Sequence, residues 1–151
     1  MKRTVLAFFV LAGLAAWPAV ASGVTSSSDF TAGGGTAYVQ NWGSVTFAVN
    51  AFATEEETMG GASGTVIIRG SGVSLKLDVV CMTNTGTFSF IETQDPSTGY
   101  YYDVSVIDYG TTGDHFAFSG PYGDAICNGG IAQENSYVTS GNLVVYDAEA
   151  L

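Results

Sequence analysis

Beyond residue 21, apolar residues in this chain recur at every second position, and no segment there holds them at helical spacing for three turns. Val45, Phe47, Val49 and Ala51 alternate with Thr46, Ala48, Asn50 and Phe52; Val73, Leu75, Leu77, Val79 and Cys81 alternate with Ser74, Lys76, Asp78 and Val80. A period of two puts one side-chain set on each face of a strand, so each run predicts a strand covering a core on one side. This pattern places Cys81 on the inward face.

Shorter candidate strands cover 36–40, 65–69, 87–93, 101–107, 115–119 and 143–146, giving about eight in all. Between them lie turn-forming clusters such as Gly70-Ser71-Gly72, Asn84-Thr85-Gly86, Asp95-Pro96-Ser97-Thr98-Gly99 and Gly120-Pro121-Tyr122-Gly123. The expected fold is all-β: one antiparallel barrel or sandwich of about eight short strands, preceded by an N-terminal signal helix. Local pattern does not choose between barrel and sandwich. Residues 22–35, rich in Ser, Thr, Gly and Ala, read as a flexible lead into a domain over 36–151. A membrane barrel also alternates by twos but needs strands of about 9 to 11 residues with aromatic girdles, and most of these runs look shorter.

The first 21 residues have the three parts of a secretory signal in order. Lys2 and Arg3 supply positive charge, an uncharged and mostly apolar stretch runs to Trp17, and Ala19-Val20-Ala21 follows Pro18 as a small-residue cleavage pattern. The apolar run is broken before the roughly 18 residues that would span a bilayer. The expected product is a secreted protein, extracellular or periplasmic, with no membrane span once the signal is removed. Removal leaves Arg69 and Lys76 against 14 acidic residues, a net charge of −12 for the remainder. Such a balance disfavours nucleic acid, whose phosphates need clustered Lys and Arg.

Two cysteines in an exported chain predict one disulfide between Cys81 and Cys127. It would contribute about 3 to 4 kcal/mol in the chain-entropy description. With a single histidine in the chain and no second cysteine near either in sequence, a metal site or a reactive thiol fits less well.

Chemistry-bearing patterns are sparse. His115 beside Asp114 allows a hydrolase triad to be drawn, yet no Gly-x-Ser-x-Gly elbow surrounds any serine. Paired carboxylates could cleave glycosides, but nothing selects a pair from 14 acids. The loop from Asp108 to Asp114, with Asp103 upstream on the strand that feeds it, carries the oxygen ligands calcium prefers; the same Asp and Gly residues also serve plain turns. Calcium is therefore the one cofactor considered, with Asp103, Asp108 and Asp114 as its ligands. Among the aromatics Tyr100, Tyr101, Tyr102, Tyr109, Tyr122, Trp42 and Tyr137, the candidates for a ligand platform are Tyr101, Tyr109 and Tyr122.

In order along the chain, Gly33-Gly34-Gly35, Leu75-x-Leu77-x-x-x-Cys81, Val104-x-Val106-x-Asp108-x-Gly110-x-x-Gly113-Asp114-x-Phe116-x-Phe118 and Ser140-Gly141-Asn142-Leu143-x-Val145 resemble the post-COAP domain family of small bacterial secreted β-rich proteins. The resemblance spans Gly33 to Asp147. It implies a secreted β fold and no assigned reaction. The leading expectation is a non-enzymatic secreted or envelope module whose partner is a polysaccharide or another envelope protein. The alternatives are a small secreted hydrolase using carboxylates and a small-ligand carrier using a barrel interior.

Overall fold

The computed structural model describes residues 28–70, 72–111, 113–127 and 136–148, so the expected signal segment lies outside the described residues. Eight strands form a single antiparallel sheet: β1 (Asp29–Val39), β2 (Gly43–Ala53), β3 (Ala62–Gly70), β4 (Val73–Thr85), β5 (Phe88–Gln94), β6 (Tyr101–Ile107), β7 (His115–Tyr122) and β8 (Tyr137–Tyr146). Their spatial order is β7-β6-β5-β4-β3-β2-β1-β8. The open choice between barrel and sandwich resolves to one sheet curled into a half-barrel. No α-helix occurs among the described residues, and none is long and apolar enough to cross a membrane.

The alternation expected in β2 is present, with Val45, Phe47, Val49 and Ala51 buried and their neighbours exposed. These side chains meet Val66 and Ile68 of β3, Leu77, Val79 and Met82 of β4, Ile91 of β5, Val104 and Val106 of β6, Phe116 and Phe118 of β7 and Leu143 of β8 in one core. Phe47 and Phe116 stack with centroids 4.1 Å apart and rings 8° from parallel. They come from β2 and β7, five ladder steps apart, so the stack crosses the concave interior and records the curl.

Two boundaries differ from expectation. β1 starts at Asp29, so Gly33, Gly34 and Gly35 sit within a strand and not in a flexible lead. β8 starts at Tyr137, and its polar Thr139-Ser140-Gly141-Asn142 run, which lacks an apolar alternation, is nonetheless strand. The reason is contact between the two strands. A Cβ on Gly33 or Gly35 would collide with the carbonyls of Asn142 or Ser140, and one on Gly141 with the carbonyl of Gly34. Glycine on both sides lets the β1 and β8 backbones approach. Gly141 also has φ 106°, a left-handed value costly for any other residue. Gly141→Ala should therefore lower stability by about 2–3 kcal/mol, strain and collision together. Urea unfolding would measure it, and a change within about 0.5 kcal/mol would count against this account of the seam.

A second difference reverses a face. The β4–β5 register shifts between Val79 and Cys81. After the shift Met82 pairs with Ile91, and Ile91 with Val104, all core residues, whereas Cys81 pairs with Glu92 and Glu92 with Asp103. Directly paired residues share a face, so the bulge turns Cys81 to the convex side, opposite to the expected inward face. It is still buried, 1% exposed, because the disulfide to Cys127 is formed, with Cα atoms 5.8 Å apart. That bond holds Cys127, in the segment leaving β7, against the outside of β4. Phe90, Ser105 and Ala117, another convex-side row, are buried as well.

The β2–β3 loop protects the rest of β4. Beyond Asp78, the last residue paired with β3, the carbonyls of Val80 and Met82 accept the amides of Gly60 (2.7 Å) and Glu57 (3.2 Å). An unpaired edge is thereby covered.

Candidate functional site

The half-barrel is drawn together by carboxylates where a ladder is missing. Asp114, 5% exposed, accepts the amide of Leu143 on Oδ2 (3.0 Å) and that of Tyr109 on Oδ1 (3.0 Å). Its carbonyl accepts the amide of Val138 (2.8 Å). Asp108 accepts Val145 on Oδ2 (3.2 Å) and Gly110 on Oδ1 (2.7 Å). The β6–β7 loop thus bonds the outer edge of β8, whose amides would otherwise lack partners. A shallow cleft of about 230 Å³ beside this clasp is lined by Asp114 and residues 138–142, but its one charged group is already committed.

This arrangement corrects the expected calcium site. Asp103 does not join Asp108 and Asp114; it lies on the convex face between Glu92 and Ser119. No group of three or more His, Cys, Asp or Glu among the described residues could hold a metal ion. The physical reason is competition: orphan backbone amides at a sheet edge are donors that claim carboxylate oxygens before a cation can. His115 contacts Tyr109 edge-on at 5.6 Å, while the Asp114 oxygens face the two amides.

Two glutamates, each beside an aspartate, have raised pKa values. Glu92 is 0% exposed, and neither of its oxygens, nor Asp103 Oδ1, has a hydrogen-bond donor in place. Burial first, then the Asp103 carboxyl beside it, push Glu92 up to about 9. Glu92 holds its proton at neutral pH and can donate it to Asp103. Half-buried Glu56 is pushed up to about 7 by burial and by Asp29, against the Asn84 amide. Here the oxygens do structural duty: Glu56 Oε1 accepts the Asn84 amide (2.7 Å) and Asp29 Oδ1 that of Ala148 (2.7 Å). Asn84 in turn donates through Nδ2 to the carbonyls of Tyr146 (2.9 Å) and Phe30 (3.3 Å), linking β4 to β8 and β1 across the interior.

The expected tyrosine platform is not assembled. Tyr101 and Tyr122 are cross-strand partners at one end of β6, whereas exposed Tyr109 follows the other end. A different aromatic set converges on the convex face of β8, β1 and β2. Tyr146 pairs with Phe30 and Phe30 with Phe52; the ring centroids are 5.2 Å and 6.4 Å apart. At the opposite end of these strands Tyr38 stacks on Tyr137 at 5.6 Å. Phe30 and Tyr38 lie eight positions apart on β1, roughly 26 Å.

Between them the register sets Val144, Ala32 and Asn50, then Asn142, Gly34 and Ala48, then Ser140, Thr36 and Thr46. None is charged, in a chain of net charge −10. The first charge on this side is Arg69, on β3 next to Thr46, where a trough of about 270 Å³ runs past Thr46, Ala48 and Ile67. The outward side of Phe52 was legible from β2 alternation alone. Its junction with Phe30 and Tyr146 was not, because that needs the pairing of β1 with β8.

No family model matches the chain, and no curated protein or solved structure is significantly similar to it.

Proposed function

We propose that this protein is an exported, non-catalytic binding module that holds a neutral polysaccharide on the convex face of β8, β1 and β2. The observation that carries the reading is that face itself: an uncharged surface with exposed aromatic clusters at both ends, on an otherwise acidic molecule. Exposed apolar patches of this kind mark binding surfaces. Aromatic rings offer flat apolar area with little ordering cost, and Asn50, Asn142, Thr36, Thr46 and Ser140 offer both donors and acceptors between them. A polymer without charge meets neither the repulsion an acidic glycan would meet nor the basic cluster it would need. The Cys81–Cys127 disulfide fits an oxidising compartment, and the N-terminal secretory pattern supports export to the cell exterior or periplasm. Core side chains fill the interior, which favours surface binding over a carrier cavity.

The test is retention by a panel of neutral and acidic polysaccharides in affinity electrophoresis. Retardation by at least one neutral polymer is expected, with Phe52→Ala and Tyr146→Ala each weakening it about tenfold or more, as loss of a buried aromatic contact does. Lys76→Ala, outside the uncharged strands, should leave it unchanged. No retardation by any neutral polymer, or equal retardation of the Phe52 and Tyr146 variants, overturns the reading.

A further inference from the structure

The turn between β1 and β2 folds a tryptophan back onto the rim of the half-barrel. The Trp42 amide donates to the Val39 carbonyl (3.0 Å), and Asn41 takes φ 72° to make the reversal. The half-buried indole then lies on Phe118, centroids 5.0 Å apart and rings 30° from parallel. Phe118 is 2% exposed, so the indole rests on a fixed floor. Beside it opens a cavity of about 290 Å³ lined by Gln40, Asn41, Trp42, Phe118, Ser119 and Gly120. The walls are held from both sides: the Gln40 amide donates to Ser136 Oγ (3.4 Å), and Gly120 packs so close to the Tyr102 ring that a Cβ there would collide with it.

The lining specifies a ligand class by what it contains and what it lacks. It has no carboxylate to attract a cation and no Lys or Arg to neutralise a phosphate or carboxylate. It combines one flat apolar wall with two side-chain amides, groups that both donate and accept. The volume lies at the lower edge of the roughly 300–1,000 Å³ of ordinary ligand pockets, enough for one ring and its substituents. An object with an apolar C–H face and a rim of hydroxyls matches all three conditions. We propose that this rim cavity is a subsite for a single neutral pyranose ring, stacked on Trp42 and hydrogen-bonded at its edge by Asn41. The assignment rests on the polysaccharide reading and adds to it a second contact, near the Tyr38–Tyr137 end of the convex face, because Tyr38 and Trp42 flank the same turn.

Trp17 and Trp42 are the two tryptophans of the chain, and Trp17 lies in the expected signal segment, so protein produced from residue 22 onward has Trp42 as its sole indole reporter. Its fluorescence is titrated with the methyl glycosides of glucose, galactose, mannose and N-acetylglucosamine. A saturable change with at least one of them is expected. Asn41→Gly, which keeps the left-handed turn, should weaken it about three- to tenfold, the range for one hydrogen bond. A thermal melt of the variant confirms that the fold is retained. A flat titration with every glycoside while a neutral polymer is still retarded overturns the subsite and leaves the convex-face reading standing. Saturation that Asn41→Gly does not weaken also overturns it. Saturation with no polymer retained supports the subsite and overturns the convex-face reading.

Discussion

Glu92→Gln raises the stability of the protein at neutral pH and flattens its decline in alkali. Glu92 has its folded-state pKa raised from 4.5 to about 9, by burial and then by Asp103. Between those values the folded chain binds more protons than the unfolded chain, so stability falls as pH rises. The contribution is fully present below about 4.5 and is lost on passing through about 9. Glutamine has the same shape, is neutral at every pH, and can donate to Asp103 without a proton being taken up. One proton is worth about 1.4 kcal/mol per pH unit; allowing for relaxation and water entry, a gain of about 2–4 kcal/mol near pH 8 is expected. Urea unfolding of both proteins at about pH 5, 7 and 9 measures it. Parallel pH dependences, or a variant less stable throughout, would show that Glu92 and Asp103 are not sharing a buried proton.

Asp114→Ala opens the clasp between the β6–β7 loop and β8. It removes the acceptors of the Tyr109 and Leu143 amides, and Leu143 is 1% exposed, so water cannot replace both bonds. Bonds to charged groups are worth about 1.5–3 kcal/mol each, which sets an expected loss of about 3–5 kcal/mol. Asp114→Asn retains one carbonyl oxygen but presents an N–H₂ to the other amide, and should lose about half as much. Urea midpoints give the totals. Amide hydrogen exchange gives the location: Leu143 and Val145 should lose protection before core amides such as those of Ile68 and Leu77. Unchanged exchange at Leu143 in the alanine variant would remove the clasp as an explanation of closure.

The strands that were legible along the chain are those with a buried and an exposed face. In β2, Val45 to Phe52 alternate without interruption, and the ladder follows that period. β4 was legible as far as Val79. There the bulge, visible only in the pairing with β5, turned Cys81 to the convex face and put Met82 in the core. Local alternation carries no sign of a register shift, because both sides of the shift keep a period of two. The glycines of β1 and the polar run of β8 were obscured for the opposite reason. Their order comes from mutual close approach across a seam joining residues more than a hundred positions apart.

Candidate sites divide the same way. Asp108 and Asp114 stood out as oxygen donors on a glycine loop, a chemistry shared by calcium sites, turns and edge clasps. Their assignment depended on what lay opposite, the amides of Leu143 and Val145. Glu92 and Asp103, 11 positions apart on separate strands, became a proton-sharing pair only through the β5–β6 register.

The alternation of side chains by itself determined that this protein is an all-β fold of about eight antiparallel strands, and the cysteine count that it holds one disulfide. Alternation and turn chemistry are local properties, set within a few bonds of each residue. The curl into a half-barrel, the face on which Cys81 lies, the clasp and the uncharged aromatic surface were decided only by the tertiary structure. Each depends on which distant strand lies alongside, and that follows from the joint packing of all eight.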